Sequence, residues 1–170
     1  MIEKTNRPNN NMRSSVPSLD APEGWKDFKL FSEAGLSSFV SSDPDSDRLR
    51  VRYYHNGQTG AFMGKVWFGP GAEGPPGMVH GGAMAAVLDE GMGVAAWLSG
   101  HKGVAAKLTV NFRKMLPLGT VTTIEAWVKH TEGRKIVMEG HLIGPEKQVY
   151  SESEGLYIQV DLCNKIQVGA

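Results

Sequence analysis

The hydrophobic rhythm changes repeatedly along the chain. Residues 1 to about 22, "MIEKTNRPNNNMRSSVPSLDAP", have no apolar period and read as a loosely docked arm. Next, "GWKDFKLFSEAGLSSFV" places Trp25, Phe28, Phe31, Leu36 and Phe39 at irregular spacings, which suggests a short docked helix or lid. A polar link, "SSDPDSD", leads on. From Leu49 the period becomes two: "LRVRYYH", the turn signal "NGQTG" and "AFMGKVWFG" predict a hairpin. "GPGAEGPPG" interrupts the sheet, and a helix is predicted from about Gly81 to Ser99. Four more strands are predicted over 103–113, 120–130, 134–143 and 148–160, joined by "PLGT", "TEGRK" and "GPEKQ". This divides the chain into an arm, 1–47, and a main domain, 48–165.

The helix carries Ala83, Ala85, Ala86, Val87, Leu88, Met92, Val94, Ala95, Ala96, Trp97 and Leu98, leaving almost no polar side. Such a helix is buried. With only antiparallel strands around it, the predicted class is α+β, a curled antiparallel sheet wrapped around one long central helix.

Bulk composition narrows the function. Lys plus Arg and Asp plus Glu both number 18, so no basic field points to nucleic acid. One cysteine, Cys163, rules out an internal disulfide and an all-cysteine metal site and is compatible with a cytoplasmic setting. The N-terminal residues show no apolar signal region. The apolar run Met78 to Leu98 is broken by His80, Asp89, Glu90 and glycines, so membrane insertion is not expected. The five histidines lack ligand spacing, so no metal is expected, and no G-x-S-x-G occurs.

Candidate chemistry gathers at the helix. The first N–H groups of a helix lack partners and carry partial positive charge. Gly81 and Gly82 lie there, and without side chains they admit a ligand oxygen to the backbone. They also suit a simple tight turn. Asp89 shares a face with Ala85, Ala86, Met92, Gly93 and Ala96, where desolvation would favour a general base. The same position suits a structural buried acid. Glu90, ~100° further round, is expected at a helix edge within reach of solvent. His80 precedes the helix, as a cap or as a direct participant. On the strand 103–113, Leu108, Val110 and Phe112 are expected to face the helix, with Ala105, Lys107, Thr109, Asn111 and Arg113 opposite.

"VHGGAMAAVLDEGMG" resembles the signature of hotdog-fold acyl-CoA thioesterases of the PaaI-like type. "EGPPGMVHGG" is most similar to the branch holding mammalian mitochondrial acyl-CoA thioesterases. "LTVNFRKMLPLG", "EGRK" and "YSESEGLYIQV" extend the resemblance over roughly 48–160. It implies a hotdog fold paired as a homodimer, or a dimer of dimers. It implies hydrolysis of an acyl-CoA with no cofactor beyond the coenzyme A of the substrate. Asp89 then matches the acid that activates water or attacks the thioester. Gly81 matches the residue whose N–H polarises the carbonyl, and His80 a histidine beside that oxygen. Gly82, Asn111, Arg113, Arg134 and Lys135 are the expected substrate-binding residues, the cations meeting the coenzyme A phosphates.

Two positions depart from the pattern. Gly74 stands where some relatives have asparagine, and Ala105 where a water-holding Ser or Thr is frequent. The rival readings are a non-catalytic acyl-CoA-binding protein and a hotdog enoyl-CoA hydratase. Helix geometry adds one expectation. Gly81 and Asp89 are eight residues apart, about 12 Å along one helix. Both groups must lie within ~3 Å of reacting atoms. An active site shared between two antiparallel helices of a homodimer resolves this.

Overall fold

The computed structural model describes residues 16–33 and 35–160; residues 1–15, 34 and 161–170, with both outer domain limits, lie outside the described residues. The predicted hairpin is β2 (Leu49–Asn56) and β3 (Phe62–Phe68). The helix is α2 (Gly81–Leu98), and β4 (Gly103–Phe112), β5 (Val121–Glu132), β6 (Lys135–Ile143) and β7 (Val149–Gln159) follow. The expected docked helix is in part a strand. Trp25–Asp27 (β1) pairs with Asn56–Tyr54 of β2, and only one helical turn, α1 (Leu30–Glu33), follows it. The backbone groups of β2 offer an unpaired ladder there, which β1 satisfies.

All seven strands form one antiparallel sheet in the order β1-β2-β3-β5-β6-β7-β4, not closed into a barrel. Strand β4, which follows the helix, crosses to the far edge and pairs with β7. Its other side pairs with no strand among the described residues and is an open ladder.

Helix α2 lies across the concave face. Met84, Val87, Leu88, Met92, Val94, Ala95 and Ala96 are buried against inward residues of the sheet, including Val66, Ile124, Met138 and Leu142. Glycine permits the close approach: a Cβ on Gly91 would lie 2.8 Å from Ile124 Cγ2. The burial expected of the helix holds on the side that meets the sheet. Gly82 is exposed, and Ala85, Ala86, Asp89 and Gly93 are only half-buried, because the sheet covers one side alone.

The strand-face expectation for β4 is also corrected. The register shifts between Ala105 and Lys107, a β-bulge at Ala106. One extra residue reverses parity. Ala105 therefore pairs with buried Tyr157 on the helix side, while Lys107, Thr109 and Asn111 pair with Leu156, Glu154 and Glu152. Leu108 and Val110 pack on the core as expected. Phe112 shares their parity yet is 53% exposed, since the helix begins beside it and offers no further cover.

Candidate active site

The chain before α2 folds back tightly. The His80 N–H donates to the Ala72 carbonyl at 2.8 Å, and Glu73 and Val79 form an isolated antiparallel bridge. A Cβ on Gly74 would sit 2.8 Å from His80 Cα. The glycine departure thus has a steric cause: this turn has no room for an asparagine side chain at 74.

His80 is the helix N-cap, with extended backbone, and its Nδ1 accepts the Gly82 N–H at 2.9 Å. The imidazole accepts at Nδ1, so in its neutral form the proton sits on Nε2 and points away as a donor. The cap engages the Gly82 N–H, so Gly82 has no backbone donor left for a ligand. The Gly81 N–H has no hydrogen-bond partner among the described residues. It is the free donor at the positive end of the helix. The Phe112 ring lies 3.2 Å from where a Gly81 Cβ would be, forming an apolar wall beside that N–H.

Two turns along, Asp89 is half-buried on the β4–β7 side. Tyr157 Oη lies 2.9 Å from Asp89 Oδ1 and 2.7 Å from its carbonyl oxygen. Burial, and then the charge of Asp89, push the Tyr157 phenol well above its ordinary value, so it stays a donor. One carboxylate oxygen is therefore fixed and Oδ2 has no protein partner among the described residues. Gly155 makes the arrangement possible: a Cβ there would meet the Tyr157 ring at 2.6 Å. Ala105 offers no hydroxyl, and its cross-strand neighbour Tyr157 places one against Asp89. Sequence reasoning missed Tyr157. Its alternation marks it as inward, but only the packing of α2 against the sheet brings it to Asp89.

Glu90 is not at a solvent edge. Its Oε1 accepts from Tyr53 Oη at 2.8 Å, and its Oε2 accepts from Ser38 Oγ. Tyr53 is buried, and burial followed by the Glu90 charge raises its phenol well above the ordinary value. The two adjacent acids therefore face opposite ways, Asp89 toward the open β4 edge and Glu90 toward the docked arm.

The structure does not bring the expected coenzyme A cations together. Arg113 pairs with Glu152, its Nη2 2.6 Å from Oε2, just beyond β4 at the end nearest Gly81. Arg134 donates to the Gln159 carbonyl, and Lys135 pairs in register with Ile158 at the opposite end of the sheet. Ile158 faces Val104 across β7, nine residues from Arg113, or about 30 Å of extended strand. Asn111 is exposed, opposite Glu152. Among the described residues no three His, Cys, Asp or Glu side chains gather as for a metal ion, and no helix is long and apolar enough to cross a membrane.

Residues 76–150 match the model of the thioesterase superfamily. The chain is 31% identical over 158 residues to acyl-coenzyme A thioesterase THEM4 of Bos taurus, a match covering 91% of this chain and 65% of that protein. It thus spans less than two thirds of that relative. A crystal structure of a thioesterase superfamily protein superposes with a TM-score of 0.61 at 32% identity, over 64% of this chain and 56% of the other. The PaaI protein of the E. coli phenylacetic acid degradation operon superposes at 0.56 and 18% identity, over 60% and 74%, a likeness of fold. The antiparallel sheet and its one long helix agree with these matches: the chain has the hotdog fold, and its residues 76–150 are similar to the thioesterase superfamily.

Proposed function

We propose that this protein is an acyl-CoA thioesterase, converting an acyl-CoA and water into a carboxylic acid and free coenzyme A. The observation that carries the reading is the pairing of an unsatisfied Gly81 N–H at the helix start with Asp89 held by Tyr157. The similarity to a protein named as an acyl-coenzyme A thioesterase supports the substrate class.

The thioester carbonyl oxygen would lie against the Gly81 N–H, with the His80 Nε2–H as a second donor. Charge developing on that oxygen meets a fixed dipole and needs no reorganisation. Asp89 Oδ2 accepts a proton from water as the water attacks and passes it to the departing thiolate, or attacks the carbonyl itself to expel the thiolate and form an anhydride that water then hydrolyses. Tyr157 keeps the carboxylate aimed and supplies its one hydrogen bond to the charged form.

The reacting groups would come from two protomers. Besides the separation of about 12 Å along one helix, the open ladder of β4 supports this. Val104, 51% exposed, Ala105 and Ala106 lie along it, and Ala105 pairs with Tyr157, which holds Asp89. Antiparallel pairing of β4 with its symmetry mate would set Gly81 of one chain near Asp89 of the other. The same operation would bring the Arg113 end of one chain to the Arg134 end of the other, so that Asn111, Arg113, Arg134 and Lys135 could serve one nucleotide. Release from Glu152 would accompany phosphate binding by Arg113.

The test mixes two inactive variants, Asp89→Ala and Gly81→Val. Random reassortment yields about half heterodimers, each with one intact site. Thiol release should recover to roughly a quarter of the wild-type rate. Verified heterodimers that stay inactive, with both parents folded, would refute the shared site. A wild-type protein that binds acyl-CoA tightly and frees no thiol would be the non-catalytic binder. Loss of enoyl absorbance without thiol would mark the hydratase.

A further inference from the structure

Among the described residues, Ser38 hydrogen-bonds the arm to α2. The Ser38 hydroxyl donates to Glu90 and accepts the N–H groups of Val40 and Ser41, each at 2.9 Å. The Ser38 N–H in turn donates to Ser42 Oγ. Val40 is buried in the core. Between these two anchors Phe39 is held out of the core, 91% exposed. A ring so exposed, on a backbone pinned on both sides, has no role in holding the fold.

The ring borders a cavity of about 240 Å³ at the start of α2. Leu49, Ala83 and Ala86 give that cavity apolar walls, Arg48 and Glu73 line it as well, and His80 and Gly82 border it next to the oxyanion donor. It lies on the β2 side of the helix start. Gly81 and Phe112 face the β4 side, where Arg113 also lies. A thioester whose carbonyl meets Gly81 and whose nucleotide arm runs toward Arg113 must send its other substituent the opposite way. That direction leads into the cavity beneath Phe39.

We propose that Phe39 is a specificity-determining residue, a ring clamped by the Ser38–Glu90 contact that covers the acyl group of the bound thioester. This rests on the acyl-CoA reading given above. Burial of one methylene contributes about 0.8 kcal/mol, so an acyl chain sheltered by the ring should gain up to roughly fourfold in kcat/KM per methylene until the cavity is filled. The clamp makes Ser38 a positioning residue, because it acts only through Phe39.

The experiment measures thiol release by the full chain from acetyl-, butyryl-, hexanoyl- and octanoyl-CoA. The octanoyl-to-acetyl ratio of kcat/KM should fall at least tenfold in Phe39→Ala, fall in the same direction in Ser38→Ala, and persist in Phe39→Tyr. An unchanged ratio in Phe39→Ala overturns the proposal. So does an equal rise in KM for all four thioesters, which would place the ring on the nucleotide. So does a change in oligomeric mass, which would make Phe39 an interface residue. If the wild type frees no thiol from any of them, the thioesterase reading fails by itself. The same ratio read from calorimetric affinities then decides the role of Phe39.

Discussion

At the residue scale the site turns on which polar groups are already satisfied. Gly81 and Gly82 are adjacent and chemically identical, yet the His80 cap engages one N–H and leaves the other free. Asp89 is likewise half satisfied. Asp89→Asn keeps the volume and removes the proton acceptor, so kcat should fall at least ~100-fold. Acyl-CoA affinity by calorimetry should stay within a few-fold; a variant retaining half the wild-type rate would remove Asp89 from the mechanism. Gly155→Ala is a subtler probe. The new methyl would overlap the rigid Tyr157 ring, tilt its hydroxyl from Asp89 and lower kcat, although residue 155 touches no substrate. Tyr157→Phe should lower kcat in the same sense without the steric cost. Rates for all three, with circular dichroism as a fold control, check these outcomes.

At the scale of elements, α2 ties two parts of the molecule together through its adjacent acids. Glu90 holds Tyr53 of β2 and Ser38 of the arm, so Glu90→Ala leaves a buried phenol without its acceptor. That should cost about 1–3 kcal/mol in urea unfolding. It should also expose the arm to limited proteolysis; unchanged stability and cleavage would mean that the clasp is idle. Tyr53 and Tyr157 also set an alkaline limit. Both phenols are raised above the ordinary value of 10 in the folded protein, chiefly by burial and then by Glu90 and Asp89. The folded state keeps their protons to higher pH than the unfolded chain. Their contribution is complete below pH 10 and is lost as pH rises beyond it, by about 1.4 kcal/mol per pH unit for each. The urea midpoint should fall steeply above pH 10, and less steeply in Tyr157→Phe.

At the scale of the whole molecule, the open ladder of β4 and the uncovered side of α2 lie on the same edge. Charges on a free edge block strand addition. Val104→Asp combined with Ala106→Asp should therefore halve the mass seen by light scattering and abolish thiol release, while circular dichroism keeps its folded signature. A variant that stays dimeric and active would move the interface away from β4.

Much of this was legible in the chain itself. Periods of two and of about 3.6, broken by Gly, Pro and Asn turns, are local properties, so they located six strands and α2 to within a residue or two. The positions of His80, Gly81 and Asp89 along one helix axis were legible for the same reason, since helix spacing alone fixes them. What depended on residues distant in sequence was not legible. The bulge at Ala106 reverses the parity of β4, and register is a property of two strands together. Tyr157 lies 68 residues from Asp89, and Tyr53 and Ser38 lie 37 and 52 from Glu90, so no local pattern assigns those partners. Arg113 and Arg134 share a charge, but strand register sends them to opposite ends of one sheet. The sequence determined the elements and the reactive groups they carry. Only the tertiary structure decided which group meets which, because pairing across a sheet is set by long-range contacts that no single stretch of chain contains.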